Sequence, residues 1–209
     1  MKKSLFVYTV GLFLLLATST NFAQSISIGP RLTGNLNIYN SKGLTGTWNG
    51  IGIGVGGTLD ISFTPHIGIM TNITVFDMKN FSNSVTNNNV TTETNLTLSY
   101  LTIDPMFKAE FSGFYMVGGP SLSIKLASSG ERNQTAAGQN PNTQTLQLDT
   151  KSLTFDIVLG TGYSFKLSPE MSLGSDFMVY IPISDTYNFP GVSNSVLSLK
   201  LGASLKFKI

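Results

Sequence analysis

Hydrophobic and polar residues alternate one by one through nearly the whole chain after its first two dozen positions. The last segment shows this most plainly. Leu197, Leu199, Leu201, Ala203, Leu205, Phe207 and Ile209 interleave with Ser198, Lys200, Gly202, Ser204, Lys206 and Lys208. A period of two makes a β-strand with one greasy and one polar face. Residues 152–167 repeat it, and six further stretches follow suit: 26–38, 51–63, 67–78, 96–110, 114–127 and 171–184. The pattern predicts eight strands, most of them longer than the five or six residues usual in globular sheets.

Connections alternate in length. Thr64-Pro65-His66, Ser112-Gly113 and Ser168-Pro169-Glu170 are tight turns, whereas 39–50, 79–95, 128–151 and 185–195 read as long loops rich in Asn, Ser, Thr and Gly. One rim of the sheet therefore carries short turns and the other long loops, the asymmetry of outer-membrane barrels. A soluble barrel or sandwich would alternate too, with the apolar face turned inward. The polar phase speaks for the membrane arrangement, because it holds glycines, serines and sparse charges of both signs instead of a lysine- and glutamate-rich surface. By phase Arg31, Asp60, Asp104, Lys108, Glu110, Lys125, Asp156, Lys166, Asp176 and Lys200 share that face. In a narrow barrel such groups pair across the lumen. Phe63, Phe107, Phe111, Phe114, Tyr163, Phe165 and Phe207 fall on the apolar phase near the tight-turn rim, where an interfacial aromatic girdle belongs. The alternation breaks between Leu96-x-Leu98-x-Tyr100 and Leu101-x-Ile103, which predicts a bulge or membrane boundary near Tyr100. Pro105, Pro120 and Pro182 predict further ladder irregularities.

Composition narrows the classes. The chain has 209 residues, 41% hydrophobic and 11% charged, without cysteine and with one histidine. Soluble domains carry about a quarter charged residues. Lack of cysteine removes disulfide scaffolds and thiol chemistry. Met1-Lys2-Lys3 followed by the apolar run Leu5–Ala17 and small, polar residues up to Ala23 reads as a cleaved secretory signal over 1–23, which leaves 24–209 as one barrel domain. Removing Lys2 and Lys3 from 13 basic residues leaves 11 against 11 acidic ones, so nothing marks the mature chain for nucleic acid.

The stretches YLTIDPMFKAEFSGFYMVGGPSLSIKL (100–126) and FDIVLGTGYSFKLSPEMSLGSDFMVYIPISD (155–185) resemble the PorT-like outer-membrane barrels and, more loosely, the small OmpA/OmpX-type eight-stranded barrels. The resemblance implies an eight-stranded antiparallel up-and-down transmembrane β-barrel in the outer membrane of a Gram-negative-type bacterium, a monomer seated in outer-membrane lipid by the barrel-assembly machinery. It carries over no catalytic residue. Such barrels commonly end on an aromatic residue, whereas this chain ends Phe207-Lys208-Ile209.

Candidate chemistry is sparse. His66 lies in a predicted tight turn, away from the rim where barrel enzymes hold their histidine. The run Gly50–Gly57 imitates a phosphate loop, but no helical pattern follows it. Acidic residues are scattered, and no metal, cofactor or catalytic site is expected. An eight-stranded barrel is narrow enough for side chains to fill. The expected protein is therefore a non-enzymatic outer-membrane barrel with a plugged polar lumen, its exposed loops serving envelope integrity or contact with a partner or ligand. Arg31, Asp60, Asp104, Lys108, Lys125, Asp156, Asp176 and Lys200 are its candidate lumen network, and Trp48, Tyr187 and Phe189 its candidate loop contacts. The rival readings are a narrow channel or carrier for small or hydrophobic solutes, a membrane component of a protein-secretion machine with envelope partners, and a soluble ligand-binding barrel.

Overall fold

A strand whose side chains alternate between two environments needs a closed sheet to separate them, and closure is what the chain achieves. The computed structural model describes residues 25–41, 48–136, 140–188 and 194–209; the expected signal segment 1–23, part of the first long loop and Phe189 lie outside them. Nine strands follow one another: β1 (Ser25–Ser41), β2 (Trp48–Ser62), β3 (Ile67–Asn87), β4 (Val90–Phe111), β5 (Phe114–Ala136), β6 (Asn142–Leu146), β7 (Leu153–Lys166), β8 (Met171–Pro182) and β9 (Asn194–Lys208). Every pairing is antiparallel. The order β4-β3-β2-β1-β9-β8-β7-β5 closes on itself through β4–β5, giving a ring of eight, and β6 hangs on the outer part of β5.

The apolar phase faces outward. Ile51 (73% exposed), Phe107 (67%) and Leu201 (66%) stand on the outer wall, while Lys200 (1%) and Asp77 (0%) are buried inside. Most of the expected girdle lies on that outer wall: Phe107, Phe111, Phe114, Tyr163, Phe165 and Phe207 are all exposed near the tight-turn rim. This inversion of the soluble pattern is the arrangement expected when the solvent around the wall is acyl chain.

Strand lengths divide the molecule. β2, β7, β8 and β9 have 12 to 15 residues, whereas β3, β4 and β5 have 21, 22 and 23. About 9–11 residues cross a bilayer as a tilted strand. The surplus builds a sheet that stands beyond the barrel on the loop rim, with β6 at its edge. Two expected long loops are therefore corrected. Residues 79–95 continue the β3–β4 ladder to Asn87↔Val90, and a two-residue turn of Asn88 (φ 47°) and Asn89 (φ 63°) closes it. Such left-handed pairs make the tight hairpin turn, and asparagine tolerates the conformation best after glycine. Most of 128–151 is likewise strand, with β5 running to Ala136 and pairing with β6.

Two register shifts and one interruption of the ladder matter inside. Val75 is an extra residue in β3, so Val75 and Phe76 both face outward and the phase flips at Asp77. Leu126 is extra in β5 opposite Ser99/Tyr100, where the broken alternation predicts a bulge. Beyond that shift Leu96 and Leu98 are buried. The β4–β5 ladder also skips from Ile103↔Leu122 to Phe107↔Gly118, in unchanged register, so Pro105 and Pro120 oppose each other across the gap. Neither proline has an amide hydrogen to give.

Candidate functional site

The lumen is filled by layers of side chains, each positioned by the inward phase of several strands. Nearest the tight turns sits an ionic layer. Arg31 of β1 holds Asp176 of β8 with both guanidinium nitrogens, Nη2 to Oδ1 at 2.7 Å. Lys108 of β4 and Lys206 of β9 both donate to Asp60 Oδ2 of β2, at 2.6 and 2.7 Å, and Lys108 also meets Glu110 Oε2 at 2.6 Å. Both ammonium groups lie over the ring of Tyr115, 5.5 and 5.6 Å from its centre. A Cβ on Gly202 would collide with both Arg31 and Asp176, so glycine there is what admits the pair.

Above it the lumen turns apolar. Met70, Met106, Val117, Val158 and Met178 pack with Tyr115 and Tyr180 into one buried cluster. Met178 Sδ accepts from Arg31 Nη2 below at 3.9 Å and from Asn72 Nδ2 at 3.8 Å, and Tyr180 Oη lies 3.8 Å from it.

A second charged layer follows toward the loop rim. Lys200 Nζ binds Asp77 Oδ2 at 2.7 Å and lies 4.2 Å from the centre of the Tyr180 ring. Thr102 and Asn35 also donate to Asp77, at 3.1 Å each; Asn37 donates to Asn35 and Ser198 to Asn37. Tyr180 Oη donates to Asp104 Oδ2 at 2.7 Å. Lys79 lies 5.3 Å from the centre of the Tyr100 ring, within electrostatic reach of Asp77 and Asp156.

The mouth is roofed by a third layer: Tyr39, Phe81, Leu96, Leu98, Tyr100, Tyr187 and Val196, against which Trp48, Leu146 and Leu148 pack. Tyr39 meets Tyr187 edge to face at 5.5 Å. The loops after β6 and β8 are tied over it. Thr150 bridges Tyr187, Asn188 Nδ2 donates to Asp149 at 2.9 Å, and Asn194 Oδ1 accepts the amides of Thr186 and Tyr187 at 3.1 and 2.7 Å. Burial, with Tyr39 and Tyr100 alongside, pushes the Tyr187 hydroxyl above the usual tyrosine range.

Of the residues singled out from sequence, Arg31, Asp60, Lys108, Asp176 and Lys200 stand in buried ion pairs. Asp104 and Asp156 are buried but make no ion pair among the described residues. Lys125 is turned instead to Thr150, donating to its carbonyl at 2.8 Å and its hydroxyl at 2.9 Å. Tyr187 is 3% exposed and Trp48 half-buried, so these rings close the mouth where an outward contact was expected. Glu110 joins Lys108, while Lys166 is exposed. His66 stacks on Phe111 at 5.4 Å with Nδ1 3.0 Å from the Glu110 carbonyl oxygen, a turn contact. Asp77, Lys79, Lys206 and the three lumen tyrosines were missed. Lys206 stood on the polar phase all along, whereas Asp77 and Lys79 lie beyond the Val75 bulge, where simple alternation assigns them to the wrong face.

Comparison with known proteins gives the following. A family model described as outer membrane protein beta-barrel domain matches residues 9–207. No curated protein matches the chain. Among solved structures it is similar to OprG from Pseudomonas aeruginosa (11% identity, 90% of this chain and 97% of that one, TM-score 0.47). It is also similar to Neisserial surface protein A (12%, 86% and 97%, 0.42) and to Ail, the attachment invasion locus protein of Yersinia pestis (14%, 88% and 97%, 0.34).

Proposed function

Because the chain belongs to the outer membrane protein beta-barrel domain family, we propose that it is a non-enzymatic barrel, exported through a cleaved signal over 1–23, that closes its own lumen and offers its outer sheet to a partner or ligand. The observation that carries this reading is the sheet of β3, β4, β5 and β6. Strands β3, β4 and β5 outrun the bilayer by about ten residues each, roughly 30 Å at about 3.4 Å per residue. Strand β6 forms its edge, with Asn142, Thr143, Gln144 and Thr145 exposed. A free edge offers a ladder of amides and carbonyls to an added strand. The roofed mouth and ion-paired interior support closure.

The test is photo-crosslinking in intact cells from a reactive residue at Thr143 or Thr145, with the same residue at lipid-facing Leu201 as reference. Discrete protein adducts from the edge and none from Leu201 are expected; the reading fails if the two positions give the same pattern. N-terminal sequencing of the purified barrel should begin at Gln24.

A second reading, passage of small or hydrophobic solutes, is favoured by the gap between Pro105 and Pro120, where the wall lacks ladder hydrogen bonds. Solute flux in reconstituted vesicles distinguishes it. The PorT-like stretches 100–126 and 155–185 support a place in a secretion machine, for which co-purification with other envelope subunits is the check.

A further inference from the structure

An open sheet edge invites another strand, and natural proteins blunt such edges with lysine, proline, inward charge or a bulge. Strand β6 carries none of these. Its five residues, Asn142-Thr143-Gln144-Thr145-Leu146, hold no charge and no proline, and they pair with residues 130–134 of β5 in one unbroken register. No described strand pairs with its other side. Asn142, Thr143, Gln144 and Thr145 are exposed, while Leu146 packs against the roof of the mouth.

The sequence of this edge is its own complement. Thr143 and Thr145 flank Gln144 symmetrically. An antiparallel partner centred on Gln144 sets Thr143 opposite Thr145, Asn142 opposite Leu146, and Gln144 opposite its own copy. Paired threonine hydroxyls and facing glutamine amides each donate and accept across such a ladder, and no like charges meet in it.

Strand polarity then decides where the second copy stands. Identical antiparallel strands are related by a two-fold axis perpendicular to their sheet. Gln144 lies in the row of Arg132, Thr94 and Asn83, within the part of the sheet that rises from the loop rim. The axis through it therefore runs parallel to the membrane and turns the second barrel upside down. Two barrels in one membrane point the same way and cannot make this contact, whereas two in facing membranes can.

We propose that β6 pairs with β6 of a second copy in an apposed outer membrane, merging the two standing sheets into one antiparallel sheet across the gap. This rests on the reading of the outer sheet as an interaction surface and names its partner. Twice the protrusion of the sheet limits the gap to about 60 Å.

The test mixes two populations of phosphatidylcholine vesicles, each with its own dye and each holding the full mature barrel with its loop rim outward, and counts two-colour clusters. Heat-modifiable gel migration confirms that each variant is folded. Wild type should cluster. Gln144→Lys alone and Gln144→Glu alone should each lose clustering by at least about tenfold, because like charges then face each other across the axis and the loss multiplies over many contacts. Mixing the Gln144→Lys vesicles with the Gln144→Glu vesicles should restore it. The chain has no cysteine, so Gln144→Cys should form a disulfide-linked dimer between vesicles that Glu93→Cys does not. Wild type that fails to cluster overturns the proposal, as do charged variants that cluster alone as well as wild type, or a mixture no better than either alone. Should a charged variant not fold, the Gln144→Cys dimer decides. In cells, edge adducts of two copies of this chain are expected; edge adducts to a different protein alone overturn this proposal and leave the interaction reading standing.

Discussion

The two charged layers of the lumen solve the same problem in different ways. Near the tight turns each cation has a carboxylate within hydrogen-bond distance, and Asp60 is shared by two lysines. Near the mouth one pair, Lys200 with Asp77, is complete, while Asp104 relies on a tyrosine and Lys79 on a ring face. The inner layer has the construction of a structural clamp: removing Arg31, Asp176 or Asp60 strands a buried opposite charge, whereas Lys108 and Lys206 each leave Asp60 with the other. The outer layer is less tightly paired, and the same kind of substitution has smaller effects there. Buried charge is therefore not one category; what decides its role is whether each group has an opposite charge within hydrogen-bond distance.

The comparison can be broken or sharpened by substitution, read as urea-unfolding midpoints followed by gel migration. The largest effect is expected for Asp176→Leu, which leaves the Arg31 guanidinium buried without its partner and should cost about 3–5 kcal/mol. Lys200→Met comes next. It removes a charged hydrogen bond to Asp77, while Thr102 and Asn35 still satisfy the carboxylate, so about 2 kcal/mol is expected. Asp156→Asn should lie within about 1 kcal/mol of wild type, since this carboxylate makes no ion pair among the described residues. An equal loss from all three would mean that the layers do not differ. The smallest effect on the barrel belongs to Asn88→Ala. The left-handed turn should weaken by about 1–2 kcal/mol locally, seen as faster amide exchange in the hairpin tip, with the unfolding midpoint unmoved.

How much of this could be read beforehand depends on what surrounds each strand. Within the bilayer one face must be apolar, so period two survives, and Arg31, Asp60, Lys108, Asp176 and Lys200 fell on the correct face by phase alone. Beyond the bilayer both faces of a strand meet water, the requirement lapses, and residues 79–95 look like a loop although they are a hairpin. Bulges defeat phase in another way. A single extra residue, Val75, carries Asp77 and Lys79 inward, whereas β4 keeps its even positions inward from Leu96 to Lys108, and what changes at Tyr100 is that the inside turns apolar under the roof. The break at Tyr100 was visible because hydrophobic residues changed phase there. The break at Val75 was not, because the apolar Val75-Phe76 is followed by too short a regular stretch to reveal it. Tyr187 could not be placed at all, since its position depends on how two loops tie to one another.

The methionine layer between the charged layers has an electrical consequence. A thioether can accept a hydrogen bond but has no proton of its own to hand on. Arg31 on one side donates to Met178 Sδ, and Tyr180 on the other lies against it while giving its proton to Asp104, so a relay of the kind that carries protons along hydroxyls stops at that sulfur. The two charged layers are therefore not joined through Met178 by a group that can pass a proton on.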